Sequence, residues 1–358
     1  MEMNALEQPF FSIVIPNFNK GNFVAECIES VKNQNFLNWE ILFVDDHSTD
    51  GSDRLAQQMI DKDDRCTFLV NTTGKKGANA ARNLGFERAR GQYIIFLDSD
   101  DLMLPTSLQL RSELAEKYSD LAYFALPMGL FNDRIGDSDL ITNIPTSEPD
   151  LNRFLKRDLL WLITGPTWKY AAFKQLGGFD LNLQSQQDLD LHVRALIAGL
   201  PYRYFHLAPD TFYRRNVVSE ARLNSQSVEH FKARFAMLRR QHELLLKASL
   251  NTSDTDLIIA SSLLALAQMM RWHQVELGKS EALAKALEYW EPAQELGLVT
   301  KTDYRLSKLY ILFKHQLLFN YSPFLRDRLE AFFLRRLGSL IFVPSKTYCQ
   351  VVFQPDEQ

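Results

Sequence analysis

Four short apolar runs in the first hundred residues, the first three each followed by a helical pattern, constrain this chain more than any other feature. Phe11-Ser12-Ile13-Val14-Ile15 is apolar and β-branched and stops at Pro16, as suits a buried parallel strand. Phe23, Cys27, Ile28 and Val31 then recur at helical spacing and predict an amphipathic helix ending near Asn33-Gln34-Asn35. Glu40-Ile41-Leu42-Phe43-Val44 is a second strand that runs into Asp45-Asp46. Ser48 and Asp50 are candidate caps for the next helix, with Leu55 and Met59 on its core face. A third strand is expected over about residues 67–70, followed by a polar loop over 71–77 and a helix over 78–89. Tyr93-Ile94-Ile95-Phe96-Leu97 is nearly all apolar, which marks a central strand, and it delivers Asp98-Ser99-Asp100-Asp101 at its C-terminal end. This β-α alternation predicts an α/β fold, Rossmann-like, with a mostly parallel sheet and helices on both faces. Such sheets bind ligands beyond the carboxyl ends of their strands, where both acidic clusters fall.

Residues 120–199 are more mixed, with turn signals at Asn132-Asp133, Gly136-Asp137 and Gly177-Gly178. Beyond about residue 217 the pattern turns helical: Phe231, Phe235, Leu238 and Leu245 share a spacing, and later segments carry Trp272, Trp290, Leu309 and Phe313. The polar stretch 251–256 breaks the first of these helices from the rest. The expected organisation is an α/β domain over 1–216, made of one half at about 10–105 and a second at about 106–216. An all-helical region follows over 217–358. Its last helix has a wide apolar stripe of Leu325, Leu329, Phe332, Phe333, Leu337 and Leu340, flanked by Arg328 and Arg335. That stripe suits either packing within the helical region or peripheral contact with an anionic membrane surface.

Composition narrows the classes. With 46% hydrophobic and 23% charged residues the chain is of ordinary globular type. A formal net charge of −4 argues against a dedicated nucleic-acid binder, whose affinity comes from a basic surface. Cys27, Cys66 and Cys349 form neither a disulfide framework nor a C-x-x-C clamp, which predicts a reducing compartment. Residues 1–9 lack the basic start and apolar run of a signal peptide, and the apolar stretch 257–270 is shorter than a membrane span. The expectation is a cytoplasmic protein, with peripheral contact at the inner membrane face as a variant of it.

Asp98-Ser99-Asp100 places two carboxylates around one small residue at a strand end. Such a pair can bind Mg²⁺ or Mn²⁺ and leave positions for substrate phosphates, although an acidic turn explains it equally in isolation. Asp46 can accept from a ribose hydroxyl or a base N–H, or serve the following helix as a cap. Gly77-Ala78-Asn79-Ala80-Ala81-Arg82-Asn83 opens a helix with small residues that permit close backbone approach, and Arg82 can serve a phosphate or a base. Neither G-x-G-x-x-G nor G-x-x-x-x-G-K-[ST] occurs, which weakens dehydrogenase and P-loop readings.

Taken together, Ile13-Val14-Ile15-Pro16-Asn17-Phe18-Asn19, Val44-Asp45-Asp46-His47-Ser48-Thr49-Asp50-Gly51, the Gly77 helix and Phe96-Leu97-Asp98-Ser99-Asp100-Asp101 resemble the ordered motifs of family 2 glycosyltransferases, which share the GT-A fold. The resemblance implies that Pro16 and Phe18 line a nucleobase pocket in which Asp46 and Arg82 hold the base. Gly77 and Ser99 complete the nucleotide-sugar site, Asp98 meets the ribose or the metal's water shell, and Asp100 ligates Mn²⁺ or Mg²⁺. Leu176-Gly177-Gly178-Phe179-Asp180, followed by Gln187-Asp188, matches the family's acceptor-side element. Asp188 is then the general base, while Gln187 stands where the family usually has Glu. A Ser185-x-x-Asp188 capping box is the competing structural reading. Asn216 falls where the family often has a histidine ligand and is a weaker oxygen ligand in its place; Arg214 or Arg215 could neutralise a leaving diphosphate. Trp168 is either an acceptor-sugar platform or a core residue. His192 and His206 have no partner spacing and read as structural.

The implied reaction is a single-displacement, inverting transfer from a nucleoside-diphosphate sugar, by default a UDP-sugar. The enzyme would be a hexosyl- or N-acetylhexosaminyl-transferase acting on a saccharide or lipid-linked saccharide acceptor in surface-polysaccharide synthesis. The alternative from another class is a non-catalytic sugar-nucleotide-binding or scaffolding protein, with Gln187 and Asn216 as marks of lost activity. A nucleotidyltransferase would need a glycine-rich basic loop, and residues 16–21 hold one glycine and one lysine.

Overall fold

The computed structural model describes residues 8–142, 144–183, 185–215, 227–317, 323–338, 340–341 and 348–350. The chain divides into two compact units, one of Met1–Ser147, Leu159–Ser219 and Lys346–Gln358, the other of Glu148–Asp158 and Glu220–Ser345.

The first unit runs β1 (Phe11–Asn17), α1 (Phe23–Lys32), β2 (Trp39–Asp45), α2 (Ser52–Ile60), β3 (Cys66–Val70), α3 (Ala78–Arg88) and β4 (Tyr93–Phe96). It continues with β5 (Leu102–Met103), α4 (Ser107–Lys117), β6 (Tyr123–Ala125), β7 (Met128–Phe131) and β8 (Leu140–Thr142). After α5 (Asp150–Leu155), which belongs to the second unit, come β9 (Pro166–Lys169), α6 (Tyr170–Leu176), α7 (Gln187–Ile197), β10 (Tyr202–Tyr204) and β11 (Thr211–Arg214). The main sheet has the order β10-β6-β9-β4-β1-β2-β3. Only β9 runs antiparallel to its neighbours. The apolar β4 lies at its centre, so Asp98 to Asp101 leave the sheet at mid-width.

Strand β1 does not stop at Pro16. Proline removes one donor from the ladder, but Asn17 still pairs with Asp45 and its carbonyl accepts from the Asp46 amide at 2.8 Å. All seven positions of β1 and of β2 are buried, as expected of strands covered on both faces. Gly51 takes the N-cap position of helix α2 at φ +89°, and Asp50, one residue earlier, accepts the first-turn Ser52 amide at 3.0 Å; the buried face is Ser52, Ala56 and Ile60. Met59 is half-buried against the core and Leu55 half-buried beside it. Helix α3 sits close on β1 and β2 because Gly85 presents no side chain; a Cβ there would lie 2.4 Å from Val14 Cγ1.

Helix α4, strand β9 and the approach to β11 are fastened together by a fully buried arginine. Arg111 Nε and Nη2 donate to Asp210 at 2.6 and 2.9 Å, and its Nη1 donates to Thr164 O and Thr167 Oγ1, both at 3.1 Å. A bidentate pair with its remaining donors satisfied is the arrangement that makes a buried charge tolerable. A second, five-stranded sheet ends on the strand Tyr348–Gln350, here β12, in the order β12-β8-β7-β11-β5.

The second unit comprises α5 with α8 (Val228–Lys247), α9 (Ser253–Met269), α10 (Gln274–Leu277), α11 (Lys279–Glu295), α12 (Lys301–Leu312) and α13 (Pro323–Leu337). Thr252 and Thr255 form a reciprocal capping box that starts α9 after the polar break. The apolar stretch in α9 is buried at Ile259, Leu263, Leu264 and Leu266. In α13, Phe333 and Leu337 are buried, with the Phe333 ring 5.0 Å from Tyr310 and 5.7 Å from Phe313, while Phe332 stays half-exposed. The stripe thus packs within the helical unit at these positions; the Leu325 side chain lies outside the described residues. Among the described residues no helix is long and apolar enough to cross a membrane.

Candidate active site

The loops after β1, β2 and β4 meet through one side chain. Asn17, the last residue of β1, donates from Nδ2 to Asp45 Oδ1, Ser48 Oγ and Ser52 Oγ at 2.9, 3.1 and 3.0 Å. Its Oδ1 accepts from Ser99 Oγ at 3.0 Å. Ser99 is therefore turned inward to hold the loop between the two carboxylates that flank it. Asp46 is buried, with Oδ1 accepting from Asn71 Nδ2 at 2.5 Å and Oδ2 from the Gly77 amide at 2.6 Å. Asp46 thereby ties β2 to the start of α3. Pro16 is buried in β1, and Phe18 beside it is 39% exposed, leaving a ring face available at the strand end.

Two cations meet the acidic turn. Arg82 Nη2 lies 2.5 Å from Asp98 Oδ1, and Lys20 Nζ lies 2.5 Å from Asp100 Oδ2. Burial pushes the Asp100 carboxyl above its ordinary range; Lys20 pulls it back and Asp98 pushes it further. Asp101 is fully buried and raised more strongly, first by burial and then by Asp100 and Asp98. Its Oδ1 accepts the Arg214 amide at 3.0 Å, whereas Oδ2 has no hydrogen-bond partner. Arg214 does not reach toward open space. Its Nε donates to Asp100 O at 3.0 Å, its Nη2 to Glu26 at 2.7 Å, and its guanidinium lies between the rings of Phe23 and Phe131. Arg214 is a brace for the acidic turn, and Arg215 is exposed.

Asp188 arrives from the other side. The helix α7 starts at Gln187 with Gln186 in the cap position at φ +62° and no side-chain cap bond, so Ser185 does not form the capping box that competed with the base reading. Asp188 instead accepts from the Leu189 amide at 2.8 Å. Burial raises its carboxyl, against the Leu189 amide and Arg82, with Asp98 adding to the rise. The loop before α7 is held by the asparagines of α3. Asn83 Oδ1 accepts the Phe179 amide and its Nδ2 donates to Phe179 O, both at 2.9 Å; Asn79 Nδ2 donates to Asp180 O and Leu183 O. Arg194 pairs with Asp190 at 2.9 Å and donates to Leu176 O and Gly178 O, closing the same loop from within α7.

Asp98, Asp101 and Asp188 face one cavity of about 220 Å³. Among the described residues the rest of its wall is Met128, Leu162, Ile163 and Tyr213. The cavity lies beyond the carboxyl end of β4, where ligands of open α/β sheets bind. Trp168 is not part of it. Its indole is fully buried on β9, stacked 4.1 Å from Tyr123, and so has no face for a sugar; the core reading holds and the platform reading does not. His192 is buried beside Trp168 and driven down to about 3 by burial and then by Arg194, so it stays neutral in the core. Asn216 lies outside the described residues.

Among the described residues no three His, Cys, Asp or Glu side chains converge as a self-sufficient metal cage. The donor set available is the hard-oxygen pair Asp98 and Asp100, the latter raised first by burial and then by the neighbouring Asp98. One or two carboxylates completed by substrate phosphates is how Mg²⁺ and Mn²⁺ are usually held in phosphate sites, so these residues fit such an ion.

Of these groups, the sequence alone missed Asn17, Lys20, Asn79, Asn83 and Asp101. The asparagines stand inside the quoted motifs, and an amide at a strand end or on a small-residue helix face is a signal for loop fastening. Lys20 carries no such signal.

Residues 12–175 match the model of glycosyl transferase family 2. A GalNAc(5)-diNAcBac-PP-undecaprenol beta-1,3-glucosyltransferase of Campylobacter jejuni is 33% identical over 109 residues, 30% of this chain and 35% of that protein. A poly(ribitol-phosphate) beta-glucosyltransferase of Bacillus spizizenii is 29% identical over 220 residues, 56% of this chain and 35% of that protein. The chain thus matches about a third of the length of these relatives. Among solved structures, S. aureus TarS 1-349 in complex with UDP-GlcNAc superposes with a TM-score of 0.62 at 19% identity, over 85% of this chain and 88% of that one. That likeness shows the fold, a GT-A architecture with a helical C-terminal region.

Proposed function

We propose, from the match of residues 12–175 to the model of glycosyl transferase family 2, that the protein transfers a sugar from a nucleoside diphosphate, preferably UDP, to an acceptor hydroxyl with inversion. The observation that carries the reading is the shared cavity: Asp98, on the diphosphate side, and Asp188, on the acceptor side, face the same space. A transferred sugar placed there has its anomeric carbon between the two. UDP-GlcNAc bound to the structurally similar TarS supports a UDP-linked donor. The undecaprenol-linked name of the Campylobacter jejuni relative supports a lipid-linked saccharide acceptor in surface-glycan synthesis.

Each residue then has a task. The exposed ring of Phe18 stacks on the nucleobase, and Asp46, fixed by Asn71 and Gly77, presents the strand end beneath it. Arg82 holds Asp98 in place and opposes the rise that burial imposes on the Asp188 carboxyl. Asp188 takes the proton of the acceptor hydroxyl as that oxygen attacks the anomeric carbon and the bond to the diphosphate breaks. A Mn²⁺ or Mg²⁺ held by Asp98 and Asp100 would supply Lewis-acid stabilisation of the diphosphate charge. Lys20, on the same carboxylate, stands where it can follow that charge.

Asp188→Asn tests the assignment. The amide keeps the size and the acceptor for the Leu189 amide but cannot take a proton. The expected result is a fall in kcat of about 10²–10⁴-fold with UDP binding retained. Unchanged turnover removes Asp188 as the base, and a wild-type protein inactive across donor and acceptor panels favours a binding or scaffolding role.

A further inference from the structure

Charge is unevenly spread along the chain. Residues 301–338 hold eight Lys or Arg against three Asp or Glu, a net of +5 in a chain whose formal total is −4, so the remainder carries −9. These residues supply α12 and α13, which meet where the Phe333 ring lies 5.0 Å from Tyr310. Two of the three acids are engaged locally: Asp303 accepts from Thr300 Oγ1 at 2.7 Å at the start of α12, and Glu330 pairs with Lys314. On α12, Lys301, Arg305, Lys308 and Leu309 follow at i, i+4, i+7 and i+8, which is one helical face, and all four are exposed. On α13, Phe332, Arg335 and Arg336 follow at i, i+3 and i+4 and are exposed as well. Leu309 is 54% and Phe332 48% open to solvent, so each face sets a large apolar side chain among cations.

We infer that the exposed faces of α12 and α13 are a docking surface for a membrane rich in anionic phospholipid. Leu309 and Phe332 enter the boundary between headgroups and acyl chains, while the guanidinium and ammonium groups beside them stay among the headgroup phosphates. Each Lys or Arg held near such a surface strengthens association about fivefold. The negative remainder of the chain is repelled by the same leaflet, and screening confines the attraction to the basic segment. A nucleic-acid backbone would satisfy the cations but leave Leu309 and Phe332 in water. The contact is with a surface, since no helix among the described residues is long and apolar enough to cross a membrane. This docking stands without the transferase reading. Joined to a lipid-linked acceptor, it holds the enzyme on the surface that carries its substrate.

Co-sedimentation of the full chain with vesicles of mixed phosphatidylglycerol and phosphatidylcholine, against vesicles of phosphatidylcholine alone, tests this. Partition onto the anionic vesicles is expected to be at least about tenfold stronger, and to weaken as salt is raised toward about 0.5 M. Charge reversal on either helix, Arg305→Glu with Lys308→Glu or Arg335→Glu with Arg336→Glu, should lower it about tenfold or more; a folding defect in one pair leaves the other to be read. Leu309→Ser and Phe332→Ser should each lower it several-fold, at little cost to the fold because both side chains already face solvent. Lys62→Glu, at an exposed cation of the first unit, should change nothing. Equal partition onto anionic and neutral vesicles, full binding by both double variants, or an equal loss in Lys62→Glu overturns the inference. Binding to a single-stranded RNA oligomer in place of the vesicles, lost in the same double variants, overturns it too. A wild-type protein that binds the vesicles but not UDP in Mn²⁺ removes the transferase reading alone.

Discussion

Lys20→Met probes the charge balance on which the acidic turn depends. Lys20 Nζ and Asp100 Oδ2 are 2.5 Å apart, with side chains 18% and 10% exposed. Exposed pairs contribute less than about 1 kcal/mol, and losing one partner of a fully buried pair costs about 3–5 kcal/mol. This pair is nearly but not wholly removed from water, so about 1–3 kcal/mol is expected for the variant near pH 8. The loss must depend on pH with a defined sign. Burial and Asp98 hold Asp100 above its unfolded value, and Lys20 is the group that pulls it back. Without Lys20 the folded-state value climbs further, and a carboxyl raised in the native state loses stability as pH rises through that range. Denaturant melts of wild type and variant at about pH 5 and about pH 8 should therefore show the larger difference at the higher pH. Mn²⁺ binding, followed by electron paramagnetic resonance, should tighten in Lys20→Met, since no ammonium competes for Asp100. A loss of stability confined to the acidic condition, or weaker Mn²⁺ binding, would refute this account of the pair.

Other consequences are as direct. Gly177 and Gly178 both sit at positive φ, +76° and +77°, but only a Cβ on Gly178 meets a neighbour, Asn83 Oδ1 at 2.7 Å. Gly177→Ala should cost about 1–2 kcal/mol of backbone strain, and Gly178→Ala about 1–3 kcal/mol more, read by thermal melts. A similar cost for both would mean that Asn83 does not fix the loop before Asp188. The raised carboxyl of Asp188 predicts the acid limb of kcat/KM. A base must be ionised, so activity falls as pH drops through a value above that of an ordinary aspartate. The same shift makes Asp188 a group whose stability contribution declines as pH rises. A limb at the unperturbed carboxylate value would contradict the burial of Asp188.

Much of the fold was legible because burial on both faces writes itself into strands: Ile13 to Ile15, Ile41 to Val44 and Ile94 to Phe96 are unbroken apolar runs. The placement of Asp98 and Asp100 followed from the strand that delivers them. Less legible were features set by tertiary contact. Trp168 and a surface tryptophan look alike in sequence, and only the stacking of Tyr123 against it decides between them. The capping box at Ser185 matched a local pattern, yet Gln186 turns left-handed and starts the helix one residue later. Arg214 looked like a phosphate ligand by its neighbours in sequence, but Phe23, Glu26 and Phe131, far away along the chain, enclose it. Asp101 passed unremarked beside the more familiar pair, because whether an aspartate has a free oxygen is a property of packing.

The central claim is that the loops at the ends of β1, β2 and β4 form one sugar-nucleotide site completed by a divalent ion. Thermal denaturation with UDP-, GDP- and dTDP-sugars, each with and without Mn²⁺, addresses it most directly. A ligand at about a hundred times its Kd adds about 2.7 kcal/mol to the folded state, enough to raise Tm by several degrees. The account predicts such a rise with a UDP-sugar in Mn²⁺, much diminished when the metal is withheld and in Asp100→Asn. No stabilisation by any of these nucleotides in the presence of Mn²⁺ would contradict it.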